Sequence, residues 1–195
     1  VMGIVKANGY GHGAIEVARA MNEAGVNYFG VAAIDEAIEL RQNGIDSPIL
    51  ILGQIFKQDF RTAIENDITC AIVDIDTAKR LSSTAVSMNK KIKVHIKIDT
   101  GMGRIGFQPD DEGYSFIKEI FTLDGLFVEG IFTHFACADS ADKTSTYNQK
   151  QKFLAFYDRL KSEGYSVPLC HMYNSASVID LDEDCGDMVR CGIMA

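Results

Sequence analysis

Short apolar runs rich in β-branched residues recur along the chain: Gly3–Ala7, Tyr28–Ala33, Pro48–Gly53, Thr69–Asp74, Lys93–Thr100, Val128–Ala136, Leu169–Ser175 and Met188–Ile193. Each has the length of a strand, and several are apolar on both faces, as in a parallel sheet covered by helices. Between them the apolar spacing becomes helical. Ala14, Val17, Ala18 and Met21 share one face of Ala14–Ala24, and Phe153, Phe156, Tyr157 and Leu160 share one face of Gln149–Glu163. Gly25, Gly44 and Gly164 each come directly after a helical pattern, where a left-handed residue closes a helix. Asp76 is the candidate N-cap for a helix over Thr77–Met88.

Eight strands alternating with mostly helical connections predict an α/β fold, a parallel (β/α)8 barrel of the TIM type. An open doubly wound sheet is the alternative that the pattern leaves. With 195 residues, 47% of them hydrophobic, the chain has enough apolar material for one domain, residues 1–195, with little decoration. Val1 falls inside the first strand and Ala195 just after the eighth, so the sequence reads as part of a longer chain.

Charge and cysteine content narrow the class. A net charge of −8 argues against a general nucleic-acid surface. No apolar run reaches the roughly 18 residues of a membrane helix, and no signal peptide is visible, so no membrane contact and a cytoplasmic location are expected. Cys70, Cys137, Cys170, Cys185 and Cys191 include no C-x-x-C pair, which points to reduced, mostly buried thiols and no metal site.

Candidate chemistry gathers where the strands end, the face on which barrels of this class work. Lys6 and Asn8 end the first strand, Lys97 and Asp99 the fifth, His134 the sixth, Asn174 and Ser175 the seventh, while Arg190 and Gly192 lie in or just past the eighth. In the fifth, Lys93, His95, Lys97 and Asp99 alternate with Val94, Ile96 and Ile98. Period two puts the two sets on opposite faces. On an exposed edge this is a solvated face; in a barrel the polar set points inward and needs partners. A lysine closing an apolar strand, as Lys6 does, can be desolvated into a nucleophile toward an aldehyde. Asn174-Ser175-Ala176-Ser177 and Arg190-Cys191-Gly192-Ile193 come after strands seven and eight, whose loops commonly hold a phosphate in such barrels. Taken singly, these are a strand-end charge and a polar turn; together they point to a phosphorylated aldehyde cofactor.

Four segments in order, Val5-Lys6-Ala7-Asn8-Gly9-Tyr10-Gly11-His12-Gly13, Lys97 to Phe107 (KIDTGMGRIGF), Thr133-His134-Phe135-Ala136-Cys137-Ala138-Asp139, and Asn174–Ser177 with Val189–Ile193, closely resemble alanine racemases. The resemblance covers essentially the whole chain. It implies the pyridoxal 5'-phosphate (PLP)-binding barrel domain of a homodimeric enzyme, without that family's C-terminal β-domain. Lys6 matches the lysine that holds PLP as a Schiff base and serves as one racemisation base. Tyr10, Ser175, Gly192 and Ile193 match phosphate-holding positions, with Asn174 beside them. His134 matches the residue packed on the cofactor ring, and Arg190 the one facing the pyridine nitrogen. Arg104 matches the arginine that orients the catalytic tyrosine and binds substrate carboxylate. Lys97 matches a lysine that many members carbamylate to brace that arginine.

The implied activity is PLP-dependent, two-base interconversion of L- and D-alanine, supplying D-alanine for peptidoglycan. The second base, a tyrosine of the partner subunit's C-terminal domain, is not in this sequence, so residues 1–195 alone are expected to be inactive. Rival readings are a serine racemase of the same type, a basic amino-acid decarboxylase, a non-catalytic PLP carrier, and an aldolase that uses Lys6 without PLP.

Overall fold

The computed structural model describes residues 1–181 and 186–193. In it the eight apolar runs form eight parallel strands. They are β1 (Met2–Ile4), β2 (Phe29–Val31), β3 (Ile49–Gln54), β4 (Thr69–Ile72), β5 (Ile92–Lys97), β6 (Leu126–Phe132), β7 (Leu169–His171) and β8 (Arg190–Cys191). Their order around the sheet is β7-β6-β5-β4-β3-β2-β1-β8. The two outer strands meet where Arg190 N–H donates to the Tyr173 carbonyl at 3.0 Å, so the sheet curls into a nearly closed barrel rather than lying open.

Helices cover the outside. After α1 (Lys6–Tyr10) come α2 (Ala14–Glu23), α3 (Ile34–Gln42), α4 (Phe60–Glu65), α5 (Ile75–Ser87), α6 (Asp111–Ile120), α7 (Thr144–Ser162) and α8 (Ser175–Asp180). Gly25, Gly44 and Gly164 take the expected left-handed conformation, with φ of 91°, 81° and 87°. The cap of α5 is corrected. It is Asp74, not Asp76, whose carboxylate accepts from Thr77 N–H at 2.7 Å and from the Thr77 hydroxyl at 2.8 Å. Asp76 lies in the first turn, where a carboxylate still favours the positive end of the helix.

Two apolar layers result. Val94, Ile96 and Ile98 of the fifth strand join Leu81 and Ile117 in the layer between strands and helices. Inside the barrel, Met2, Ile4, Tyr28, Leu50 and Met188 form a smaller cluster. The other half of the interior is polar: His95, Lys97, Asp99, His171 and Arg190 are all buried. Period-two alternation in β5 thus sorts its residues as expected for a barrel. Among the cysteines, Cys70 and Cys170 are buried, Cys191 is half-buried and Cys137 exposed; Cys185 lies outside the described residues.

Candidate active site

Lys6 opens α1, and the four residues after it wind the wrong way for a helix of L-residues. Ala7, Asn8, Gly9 and Tyr10 have φ of 50°, 53°, 60° and 55°, so the segment is left-handed. For residues with a Cβ this costs about 1–2 kcal/mol each. The turn is held from outside. One oxygen of Glu36 accepts from Ala7 N–H at 2.7 Å, and its other oxygen accepts from Ala32 N–H at 2.7 Å. Asn8 Oδ1 accepts from Ala14 N–H at 2.9 Å and so ties the turn to α2. The reversed winding brings the side chains of Lys6 and Tyr10 to the same cavity.

Ser175, Gly192 and Tyr10 form one end of that cavity. Gly192 N–H donates to Ser175 Oγ at 3.1 Å. A Cβ on Gly192 would stand 2.6 Å from the Tyr10 hydroxyl, so glycine is what leaves that space. Burial raises the Tyr10 pKa, which keeps the phenol a protonated donor. Asn174 has its side-chain oxygen engaged in capping α8, through Ser177 N–H at 3.1 Å and Ser177 Oγ at 2.8 Å, and thereby sets the Ser175 loop.

Arg190 lies beneath, buried, with both terminal nitrogens engaged. Nη1 donates to His171 Nδ1 at 2.9 Å and to the His171 carbonyl at 3.0 Å. Nη2 donates to the carbonyls of Thr133 at 2.8 Å and Met172 at 3.1 Å, and more distantly to His134 Nδ1 at 3.4 Å. Burial, with Arg104 nearby, lowers Arg190 to about 9, so it remains a cation at neutral pH. Burial and the surrounding cations Arg190, Arg104, Lys97 and Lys6 push His134 down to about 3, which keeps it neutral.

The opposite wall comes from β5 and its loop. Asp99 accepts from the N–H groups of Gly101, Gly103 and Arg104 at 3.0, 3.0 and 2.9 Å. Burial would raise its pKa, but these donors and Lys97 hold it below the usual carboxylate range. Gly106 has φ of 116°, and a Cβ there would stand 2.7 Å from the Lys97 carbonyl, so the loop closes tightly on its own strand. Arg104 is thereby presented at the cavity rim. Lys97 is buried, donates to the Ile98 carbonyl at 2.7 Å, and is lowered to about 8 by desolvation and by the neighbouring Arg190 and Arg104, against the pull of Asp99.

The ten candidate site residues, Lys6, Tyr10, Lys97, Arg104, His134, Asn174, Ser175, Arg190, Gly192 and Ile193, line one cavity of about 440 Å³, whereas Asn8 and Asp99 brace its loops without lining it. Ile193 is exposed, at 80%. The sequence pattern did not single out four supports. Phe132 lies under the cations of Lys97 and Arg190, with each group 5.7 and 5.5 Å from the ring centre. His171 and Glu36 hold Arg190 and the left-handed turn. Gln149 joins the loops after β5 and β6 through Thr100 Oγ1, the His134 carbonyl and Ala136 N–H. A histidine inside an otherwise apolar strand run was the available signal for His171.

The model of the alanine racemase N-terminal domain matches residues 1–195. The chain belongs to the alanine racemase family. Alanine racemases of Clostridium perfringens and Methanococcus maripaludis are 47% and 43% identical to it, over all of this chain and 50% and 52% of their own length. The structure of alanine racemase from Clostridium difficile 630 in complex with cycloserine superposes with a TM-score of 0.97 at 42% identity, over 99% of this chain and 53% of that one. That of Bacillus anthracis with bound L-Ala-P superposes at 0.92 and 34% identity, over 98% and 50%. The chain therefore spans about half the length of the family members it matches, and the superposition covers the barrel with its cavity.

Proposed function

We propose that this chain supplies the PLP site of an enzyme that interconverts L- and D-alanine. The observation that carries the proposal is the convergence of Lys6, the Tyr10 and Ser175 hydroxyls beside Gly192, a buried arginine and a second, rim arginine on one cavity. The residues fit the cofactor. The hydroxyls of Tyr10 and Ser175 and the Gly192 backbone suit a phosphate, beside space that a Cβ would fill. Ile193 and the Asn174-capped loop would border it. Arg190 keeps Nε–H as the guanidinium donor without a protein acceptor among the described residues, suited to a ring nitrogen.

PLP, when bound, supplies an electron sink that lowers the cost of removing an amino acid's α-proton. Lys6 would hold its aldehyde covalently through Nζ; the substrate's amino group would take that place, and the Nζ amine so freed would take or return the α-proton on one face of the substrate. His134, neutral, would pack on the ring. Arg190 stays charged and so does not surrender a proton to the ring nitrogen, which restrains the sink. Arg104 would bind the substrate carboxylate. Lys97, an amine lowered to about 8 beside that arginine, is suited to carbamylation, which would turn a repulsion between cations into an ion pair.

Racemisation needs a second base on the opposite face. We assign it to a tyrosine of a partner subunit in a homodimer, so residues 1–195 alone should be inactive. Alanine is proposed over serine because the relatives are named for it, and the Bacillus anthracis structure is described with bound L-Ala-P. Supply of D-alanine for peptidoglycan in the cytoplasm is the corresponding role. The test is a coupled D-alanine assay on the complete protein, with serine as rival substrate. Lys6→Ala should lower kcat by about 10²–10⁴-fold or more. An undiminished rate would overturn the assignment of Lys6, and faster turnover of serine would overturn that of alanine.

A further inference from the structure

A line of hydrogen bonds leaves the cavity through the barrel interior. Arg190 Nη1 lies 2.9 Å from His171 Nδ1, His171 Nε2 lies 2.8 Å from His95 Nδ1, and His95 Nε2 lies 3.1 Å from Glu129 Oε2. Its polarity is fixed at both ends. A guanidinium only donates, so His171 Nδ1 is an acceptor and a neutral His171 carries its proton on Nε2. That proton points at His95 Nδ1, leaving His95 to donate from Nε2 to a carboxylate that only accepts. Tyr28 completes the end of the line by donating to the same Glu129 oxygen at 2.8 Å.

Two features of β6 have no other evident purpose. The pairing with β5 runs Val94 to Val128 and then His95 to Gly130, so Glu129 is an extra residue, a bulge in a parallel ladder. Such bulges are rare and re-aim a side chain; here the carboxylate turns inward onto His95. The next residue, Gly130, makes room for the imidazole, because a Cβ there would stand 2.4 Å from His95 Nδ1.

We propose that Glu129, His95 and His171 are positioning residues for Arg190, a chain of fixed tautomers that holds an acceptor against the guanidinium and leaves Nε–H for the cofactor ring. The proposal rests on the PLP reading of the cavity. It is a lock rather than a proton path, since its cavity end is an arginine that keeps its proton at neutral pH. If Glu129 loses its charge, His95 is free to carry its proton on Nδ1. His171 must then reverse as well, and two donors meet at Arg190. The charged and titratable groups facing Glu129 are His95, Tyr28 and Lys93, the last at 3.7 Å. Those facing His171 are Arg190 and His95. Burial opposes ionisation of Glu129, but the bonds from His95 and Tyr28 outweigh it and keep its pKa below the usual value.

The experiment is ¹⁵N NMR of ring-labelled histidines in the complete, PLP-loaded protein, on wild type, Glu129→Gln and Glu129→Asp. Wild type should show His95 and His171 neutral with the proton on Nε2 throughout the neutral range. Glu129→Gln should mix the tautomers of both rings and lower kcat about 10-fold with KM little changed, as expected for loss of a bond to a charged group. Glu129→Asp should restore most of both. A wild-type His171 that is charged or protonated on Nδ1 overturns the proposal, and it does so even if the variants fail to fold. So does a Glu129→Gln protein with wild-type tautomers and kcat. Correct tautomers in a protein that does not racemise alanine would reject the functional assignment alone and leave the lock standing.

Discussion

A Cβ on Gly192 would stand 2.6 Å from the hydroxyl of Tyr10 and 2.9 Å from the side chain of Ile4. The end of β8 therefore approaches the left-handed turn after β1 as closely as a backbone without a side chain allows. That approach shapes the seat assigned to the phosphate.

Gly192→Ala should accordingly damage cofactor binding more than folding. Overpacking costs about 1–3 kcal/mol, which corresponds to about 5–150-fold in affinity. Titration of PLP into the cofactor-free variant checks this, with thermal unfolding as control. An unchanged PLP affinity would mean that the phosphate sits elsewhere.

Glu36 should matter at a distance from the chemistry. Glu36→Ala leaves the N–H groups of Ala7 and Ala32 without their acceptor, on a turn that is costly to wind. We expect a loss of about 1 kcal/mol in stability together with weaker PLP retention, measured by urea unfolding and dialysis. Unaltered values would show that the backbone bonds of the turn suffice.

The path of the chain and the candidate site were legible for different reasons. The strands could be read because buried parallel strands are continuous apolar runs. Lys6, Lys97, His134, Asn174, Ser175 and Arg190 stood out because polar groups interrupt those runs at their ends, Gly192 and Ile193 by their place after the eighth strand, and Tyr10 and Arg104 by the resemblance to alanine racemases. The left-handed turn was not legible, since Asn8 and Gly9 tolerate that winding but Ala7 and Tyr10 resist it; Glu36, remote in sequence, holds it. Asp74 and Asp76 are equally good caps by residue type, and only the path of the chain out of β4 selects Asp74. Glu129 was hidden because a bulge breaks the period-two alternation by which an inward residue is recognised.

Lys97 should carry a carbamate whose formation tracks pH. The neutral amine is the form that reacts with carbon dioxide. With its pKa lowered to about 8, that fraction grows as pH rises through 8 rather than through 10.5. ¹³C NMR with labelled bicarbonate should show a carbamate signal that strengthens between pH 6.5 and 8.5 and disappears in Lys97→Ala. No signal at any pH would leave Lys97 as a plain ammonium.

The buried histidines should make the protein sensitive to acid. His95, His134 and His171 all have pKa values lowered by burial, with bonding to Glu129 opposing the shift at His95. The unfolded chain therefore takes up protons near pH 6.5 that the folded chain refuses. Their contribution is intact above pH 6.5 and is lost as pH falls below it, by up to about 1.4 kcal/mol per pH unit for each ring. Urea unfolding between pH 7.5 and 5 checks the slope, and a flat profile would mean that the rings are protonated in the fold.

The most direct test of the central claim is borohydride reduction of the complete, PLP-loaded protein, with peptide mass spectrometry to locate the adduct. The assignment of Lys6 requires the reduced cofactor on the peptide containing Lys6, and its loss in Lys6→Ala. A cofactor fixed to Lys97 or any other lysine, or none retained after reduction, would contradict it.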